Sequence, residues 1–442
     1  MKTNRYLRLA KEGGWIVIGQ IAMVTGALVL VRALTEYLTP VEYGQLALGM
    51  TVATLINQVV FGGIVAGIGR FYTIAAEKLD LPGYLRDTRR LMIYATIPVL
   101  VIGAALMMGL MSLGFSHWMG LAGAALLFSL LSGYNSTLNG IQNAARQRAI
   151  VALHGGLDAW LKILLASGVM CWLGASSTAV VIGYAGSALL ITLSQLVYLR
   201  RTIPSPARQT TSRHQWTWQI WQYSWPFSTW GIFTWMQQVS DRWSLEAFAT
   251  AQDVGFYAVL FQLGYTPISI LLGMSMAFLG PIMYQRSGDA TDQSRNDNVH
   301  QLIWRTTTIA LVVTGLAILI TGLMHEWIFR ILVATEYFEI SYLLPWVILA
   351  GGLFSAGQML SLKLMSEMKS TTLLAPKVIT ALLGISLNIT GAALAGLAGL
   401  VAALVAFSSI YLIWMVLLGY ARSAGTCGFP VQPDEKSVEF HL

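Results

Sequence analysis

Acids and bases are scarce in this chain. Asp, Glu, Lys and Arg together supply only 11% of its 442 residues, where a soluble domain carries about 25%, so a water-soluble globule is excluded. Cysteine is nearly absent: Cys171 and Cys427 are the whole complement, and the topology below puts them on opposite sides of a membrane, which rules out a disulfide or a thiolate metal cluster. There is no nucleotide-binding loop, metal-ligand spacing or nucleophile motif. The longest expected extracytoplasmic loop, roughly 325–340, is too short for a catalytic domain. The chain therefore reads as a non-enzyme without a cofactor.

What it has in abundance is apolar length. Hydrophobic residues make up 56% and the mean hydropathy is +0.64. Runs of about 20 apolar residues, enough to cross a hydrocarbon core of about 30 Å, recur along the whole length. Such spans must be helices, because an unclosed strand in lipid leaves its backbone groups unpaired. Twelve are expected: 13–34, 43–67, 91–114, 119–143, 151–174, 177–199, 224–247, 254–282, 303–324, 341–365, 374–396 and 398–420. The first is a span rather than a signal peptide, since no small-residue cleavage site follows it.

Charge placement supports that count. With the N-terminus inside, only Arg32, Lys162, Arg242 and Arg330 of the 27 Lys and Arg residues lie away from the cytoplasmic side. The opposite loops hold Glu36, Glu42, Asp253, Glu326, Glu336 and Glu339, as the positive-inside rule requires. The net charge of +7 is thus topological, and nucleic acid is not an expected partner. The basic lead-in Met1–Glu12 suits the anionic cytoplasmic leaflet.

The chain also looks duplicated. VRALTEYLTPVEYGQLA, residues 31–47, returns in degenerate form as DRWSLEAFATAQDVGFYA, residues 241–258. Arg32 and Arg242, and Glu36 and Glu246, are 210 positions apart; Glu42 and Asp253, Gly44 and Gly255, and Ala47 and Ala258 are 211 apart. Six spans per half is an even number, so the halves would be related by an axis along the membrane normal. The expected division is an N-terminal six-helix bundle over 1–200, a cytoplasmic linker with an interfacial helix over 201–223, a C-terminal six-helix bundle over 224–421 and a cytoplasmic tail over 422–442. Trp218, Trp221, Gln222 and Trp225 at helical spacing suggest the interfacial helix, and Pro204 and Pro206 mark the linker.

Intramembrane ionisable groups are the functional candidates, since each costs about 2.5–3.5 kcal/mol at the bilayer centre and tends to face a partner or a cavity. Asp158 and Lys162, one turn apart in span five, are either a self-contained ion pair or a pair facing a water-filled path in which Lys162 attracts an anion. Arg32 with Glu36, and Arg242 with Glu246, either snorkel to the interface or bind an anion. Asp241 is a local counter-charge or a cation site. Arg70 is a snorkelling end residue or a contact at substrate entry. Asn135, Asn139, Gln142 and Asn143 form an amide stripe that can bind sugar hydroxyls or bond between helices. Trp230 and Trp235 can stack on sugars or pack in the core. Pro226, Pro267, Pro281, Pro345 and Pro376 lie where they can kink spans.

The two signature stretches, RALTEYLTPVEYGQLAL and DRWSLEAFATAQDVGFYA, with GIGRFYTIAAEK after span two, resemble the polysaccharide-transporter family of O-antigen and other lipid-linked oligosaccharide flippases, within the multidrug, oligosaccharidyl-lipid and polysaccharide exporter superfamily. The resemblance implies an all-α membrane protein whose two pseudo-symmetric six-helix bundles enclose a central cavity. It also implies alternating access that moves a polyprenyl-diphosphate-linked oligosaccharide, an O-antigen, lipopolysaccharide, capsule or exopolysaccharide unit, to the periplasmic leaflet of a bacterial inner membrane. Cations meeting the diphosphate would then be Arg32, Arg70, Lys162 and Arg242. The expected partners are the lipid-linked oligosaccharide, membrane lipids and other glycan-assembly membrane proteins. H+ coupling, Na+ coupling and the membrane potential alone are all open. A multidrug exporter of the same superfamily is the alternative, kept alive by Asp158 and Asp241. A glycan polymerase or ligase would be expected to show a long periplasmic loop, and none is expected here.

Overall fold

The computed structural model describes residues 2–202, 216–287, 293–366 and 374–421. Pro204, Pro206 and the tail 422–442 lie outside the described residues, as do the side chains of 2–12, Pro226, Trp230 and Pro281. The described residues are almost wholly helical: α1 Lys2–Tyr37, α2 Pro40–Ile56, α3 Gly63–Glu77, α4 Leu81–Ser112, α5 Met119–Ala144, α6 Arg148–Leu173, α7 Ser177–Thr202, α8 Trp216–Phe248, α9 Ala251–Leu260, α10 Thr266–Ser287, α11 Gln293–Leu332, α12 Leu344–Ser366 and α13 Leu374–Ala421. A π-helical segment, Asn57–Gly62, fuses α2 to α3, and another, Phe261–Tyr265, fuses α9 to α10. The second span of each half is therefore one long helix with a widened turn, a feature often found at functional sites.

Ten helices among the described residues are long and apolar enough to cross a membrane, so this is a multi-pass membrane protein. α8 is not one of the ten, because Gln219, Gln222, Gln237, Gln238, Asp241, Arg242 and Glu246 dilute its apolar runs. α13 counts once, although its backbone leaves the helical region at Ala395 and at Gly396, which has φ +53°. A left-handed residue here suits glycine. The chain turns back on itself at that point: Gly391 and Gly399 face each other so closely that a Cβ on either would strike the other's carbonyl oxygen. The expected break between 396 and 398 is thus a helical hairpin.

Two boundaries differ from expectation. The segment 325–340 is not a loop: α11 runs to Leu332, and a 3-10 stretch, Thr335–Leu343, follows. Phe329, Val333 and Tyr337, four apart, are all fully buried, and His325 Nδ1 lies 2.9 Å from Ser341 Oγ. Apolar residues at helical spacing carry the fold past the end of the hydrophobic run. Residues 216–223 are likewise the first two turns of α8 rather than a separate interfacial helix. Trp216 is fully buried and its indole N–H donates to Asp80 Oδ2 at 2.8 Å, which docks α8 at the elbow between α3 and α4.

α8 then lies along the whole α2–α3 span. Gly63 and Gly67 leave room for Ser224 and Ser228, and Gly231 for the Gln58 backbone. Gln58 Nε2 donates to Gln238 Oε1 at 2.6 Å, and the indoles of Trp235 and Trp243 donate to the Thr51 carbonyl (2.9 Å) and hydroxyl (3.2 Å). Trp235 is therefore committed to helix packing. On the opposite seam, α1 touches the second half at the end of α11 and at the π segment before α10.

Candidate functional site

The two signature copies begin with the same local chemistry. α2 is capped by Thr39, whose hydroxyl accepts from Glu42 N–H at 3.3 Å, with Pro40 in the first turn. α9 is capped by Thr250, whose hydroxyl accepts from Asp253 N–H at 3.1 Å. In both, a threonine three residues before an acid satisfies a free amide, and the acid stabilises the positive end of the helix dipole. Glu42 does more, accepting the Ser177 N–H at 2.7 Å and so capping α7 as well.

The glycines of the repeat then meet. A Cβ on Gly44 would run into the Ala251 carbonyl, and one on Gly255 into the Pro40 carbonyl. Each helix presents the same turn to the other, the reciprocal contact of a two-fold axis. Tyr43, Phe256 and Tyr337 pack around this crossing, with Tyr337 edge-on to both rings. It closes the two halves against each other at the ends where α2 and α9 begin.

Beside the crossing lies a cavity of about 250 Å³, lined by α1, α2 and α7 from the first half and by Arg242, Ala258 and Gln262 from the second. Arg242 is the only charged residue in that lining. Its guanidinium lies 5.3 Å from the centre of the Phe261 ring, 3.7 Å from Asp241 Oδ1 and 3.4 Å from the Gln238 carbonyl. Asp241 is turned away: its carboxylate accepts from the Tyr257 hydroxyl at 2.7 Å and from the Arg242 backbone N–H at 2.6 Å, and the residue is buried. Gln262 and Phe261 both belong to the π segment, whose extra residue per turn re-aims side chains toward this space.

The other sequence-selected residues fall elsewhere. Arg32 pairs with Glu36 at 2.7 Å, and its guanidinium donates to the Val333 carbonyl; Thr35 Oγ1 accepts from Ala334 N–H at 3.2 Å. Arg32 thus ties α1 to the end of α11 and does not line the cavity. Glu246, the counterpart of Glu36, is half-buried, with its Oε2 lacking a hydrogen-bond partner among the described residues. Lys162 and Asp158 form an ion pair of 2.6 Å; Asp158 also accepts from Ser187 Oγ at 2.8 Å, and the ammonium sits 5.6 Å from the Phe128 ring centre. That pair joins α6 to α5 and α7 within the first half. Arg70 is exposed near the end of α3.

In the amide stripe on α5, Asn135 Oδ1, Asn139 Oδ1 and both side-chain polar atoms of Gln142 are buried without a hydrogen-bond partner among the described residues. Asn143 accepts from Arg148 at 2.6 Å. The inter-helix amide bond in this region comes instead from Asn57, which donates to Ser132 Oγ at 2.9 Å. The capping threonines were missed from sequence, although their pattern, Thr-x-x-acid, is readable in both copies.

The fold is similar to those of solved MOP superfamily transporters. It is similar to the lipid II flippase MurJ in an inward closed conformation (TM-score 0.69, 11% identity, covering 92% of this chain and 87% of that one). It is also similar to an inward-facing multidrug resistance MATE family transporter (TM-score 0.65, 14% identity, 92% and 98%), and to a MOP superfamily transporter from Pyrococcus furiosus (TM-score 0.50, 13% identity, 94% and 94%). No curated protein sequence matches the chain. Residues 9–287 match the family model described as "Polysaccharide biosynthesis protein", and the chain belongs to that family.

Proposed function

We propose that this protein is a flippase for a polyprenyl-diphosphate-linked oligosaccharide. It carries the headgroup from the cytoplasmic to the periplasmic leaflet of a bacterial inner membrane through alternating access of two six-helix bundles, 1–200 and 224–421. α8 and the two arms of α13 complete the twelve spans. The observation that carries this reading is the cavity between the halves, in which a cation, Arg242, is the only charged group of the lining. An exporter of cationic drugs needs an acid there, and the nearest one, Asp241, is outside the lining, ion-paired with Arg242 at 3.7 Å and engaged by Tyr257 and by backbone. The family match and the likeness to a lipid II flippase agree with the reading.

The cavity is too small for a glycan, so it is the closed end of a path that widens when the halves separate. The buried, unpaired oxygens of Asn135 and Asn139 and the unpaired amide of Gln142 offer hydroxyl partners along α5 once exposed to a wider path. A diphosphate carries about two negative charges, so a potential of 100 mV, negative inside, favours its outward movement by up to about 4.6 kcal/mol. Export therefore need not be coupled to an ion.

The test is reconstitution. Purified protein in liposomes under an imposed potential should move a fluorescent polyprenyl-diphosphate oligosaccharide between leaflets and leave a lipophilic cationic dye where it is. Transport of the dye without movement of the lipid would make the protein a drug exporter.

A further inference from the structure

A larger concavity of about 920 Å³ lies outside the inter-half cavity and shares no lining residue with it. It runs between α4 on one side and α8 with the π segment on the other. Arg86, Arg90, Tyr94, Pro98 and Ile102 of α4 all line it. Their spacing of four puts them on one helical face, about 24 Å long at roughly 1.5 Å per residue. One end of that face is doubly cationic and the rest is apolar.

The charged end is arranged for an external anion. Its single acid, Asp87, has a mostly buried side chain, accepts the Thr217 N–H of the first turn of α8 at 3.1 Å and lies 3.7 Å from the Arg90 guanidinium. Two arginines thus face one acid that is itself committed to the backbone. Arg86 is exposed, and the Arg90 side chain is 61% exposed. Opposite them stand Trp218 and Trp221, aromatic side chains of the kind that sit at headgroup level.

The apolar part, from Leu91 to Ile102, is about 17 Å long, more than the roughly 15 Å of hydrocarbon in one leaflet. Pro98, inside α4, has no N–H to donate and exposes its ring to the groove.

We propose that this groove is a lateral binding site for one long-chain polyprenyl phosphate lipid, with the phosphate between Arg86 and Arg90 and the prenyl chain along Tyr94, Pro98 and Ile102. The site rests on the flippase reading for its occupant and adds a place where the substrate lipid docks outside the inter-half cavity. Its tail stays in the groove's mouth and in the surrounding lipid, and the two exposed guanidiniums hold the head at the membrane surface.

A polyprenyl monophosphate bearing a diazirine at mid-chain, without sugar, tests this in phosphatidylcholine nanodiscs holding the full chain. Adducts mapped by mass spectrometry should fall on residues 94–102 of α4. They should drop about tenfold or more in the Arg86→Gln/Arg90→Gln protein, as expected for loss of charged hydrogen bonds, and persist in Arg86→Lys/Arg90→Lys. A tenfold excess of phosphatidylglycerol should not displace them. Labelling unchanged by the Gln pair, or displaced by phosphatidylglycerol mole for mole, overturns the proposal; the second result makes the groove an ordinary phospholipid site. Adducts around Arg242 but not on α4 sink the groove and leave the flippase reading standing. Specific α4 adducts in a protein that flips no lipid-linked glycan do the reverse.

Discussion

The two copies of the signature share their caps and a close glycine contact and differ in what their arginines meet. Thr39 and Thr250 cap their helices in the same way, Glu42 and Asp253 sit in the same first turn, and Gly44 meets Gly255 face to face. The arginines part company. Arg32 turns to Glu36 and across to the Val333 carbonyl of the second half, while Arg242 lines the cavity between the halves, near Phe261 and beside a buried Asp241. Caps and glycines repeat because both helices start at the same crossing and meet the same steric demand. Side-chain charges answer to neighbours, and the neighbours differ: Arg32 meets Glu36 and the Val333 carbonyl, and Arg242 meets Asp241 and the Phe261 ring. Of the two arginines at matching positions of the repeat, one lines a cavity.

The crossing is where the largest effect is expected. Gly44→Val and Gly255→Val each push a side chain into an opposing carbonyl, at a cost of about 3 kcal/mol, the upper end for overpacking. Both should abolish the closure of the halves, seen as a lengthened spin-label distance between the starts of α2 and α9, and with it transport. If one substitution were harmless, the reciprocal contact would not be the closure. Next in size is Lys162→Ala. Because the pair is a fifth to a quarter exposed, we expect a loss of about 1–2 kcal/mol in thermal unfolding, below the 3–5 kcal/mol of a fully buried pair, with flipping retained when normalised to folded protein. A transport loss as deep as that of an Arg242 variant would place a second headgroup cation in the first half. The smallest effect tests what the copies share: Thr39→Ala and Thr250→Ala should each destabilise by about 1 kcal/mol, equally within error in a melting experiment. A clear inequality would mean that the two caps are not equivalent.

Much of this was legible beforehand. The paired positions 32 and 242, 42 and 253, and 44 and 255 were visible as spacings, and their glycines proved to be in contact. The reversal at 395–396 falls where one span was expected to end at 396 and the next to begin at 398, within sequence that is apolar throughout. Rotation of side chains about a helix axis was not legible: nothing in RALTE or DRWSLE says which arginine lines the cavity, since Phe261 and Val333 are remote in sequence. The end of α11 was missed because Phe329, Val333 and Tyr337 are held by tertiary burial rather than by a long apolar run. Arg86 and Arg90 were counted among the cytoplasmic-side cations, ahead of the span expected at 91–114, and α4 in fact begins at Leu81 and carries both on the face of Tyr94 and Pro98.

The difference between the two arginines is the central claim, and one measurement addresses it directly. Lipid-linked oligosaccharide flipping should be compared in proteoliposomes for Arg242→Gln and Arg32→Gln at matched amounts of folded protein. The account predicts a fall of about ten- to a hundredfold for Arg242→Gln, the value of a charged hydrogen bond to the headgroup, and less than about twofold for Arg32→Gln, an exposed pair. Equal losses in the two variants, or a loss confined to Arg32→Gln, would contradict it.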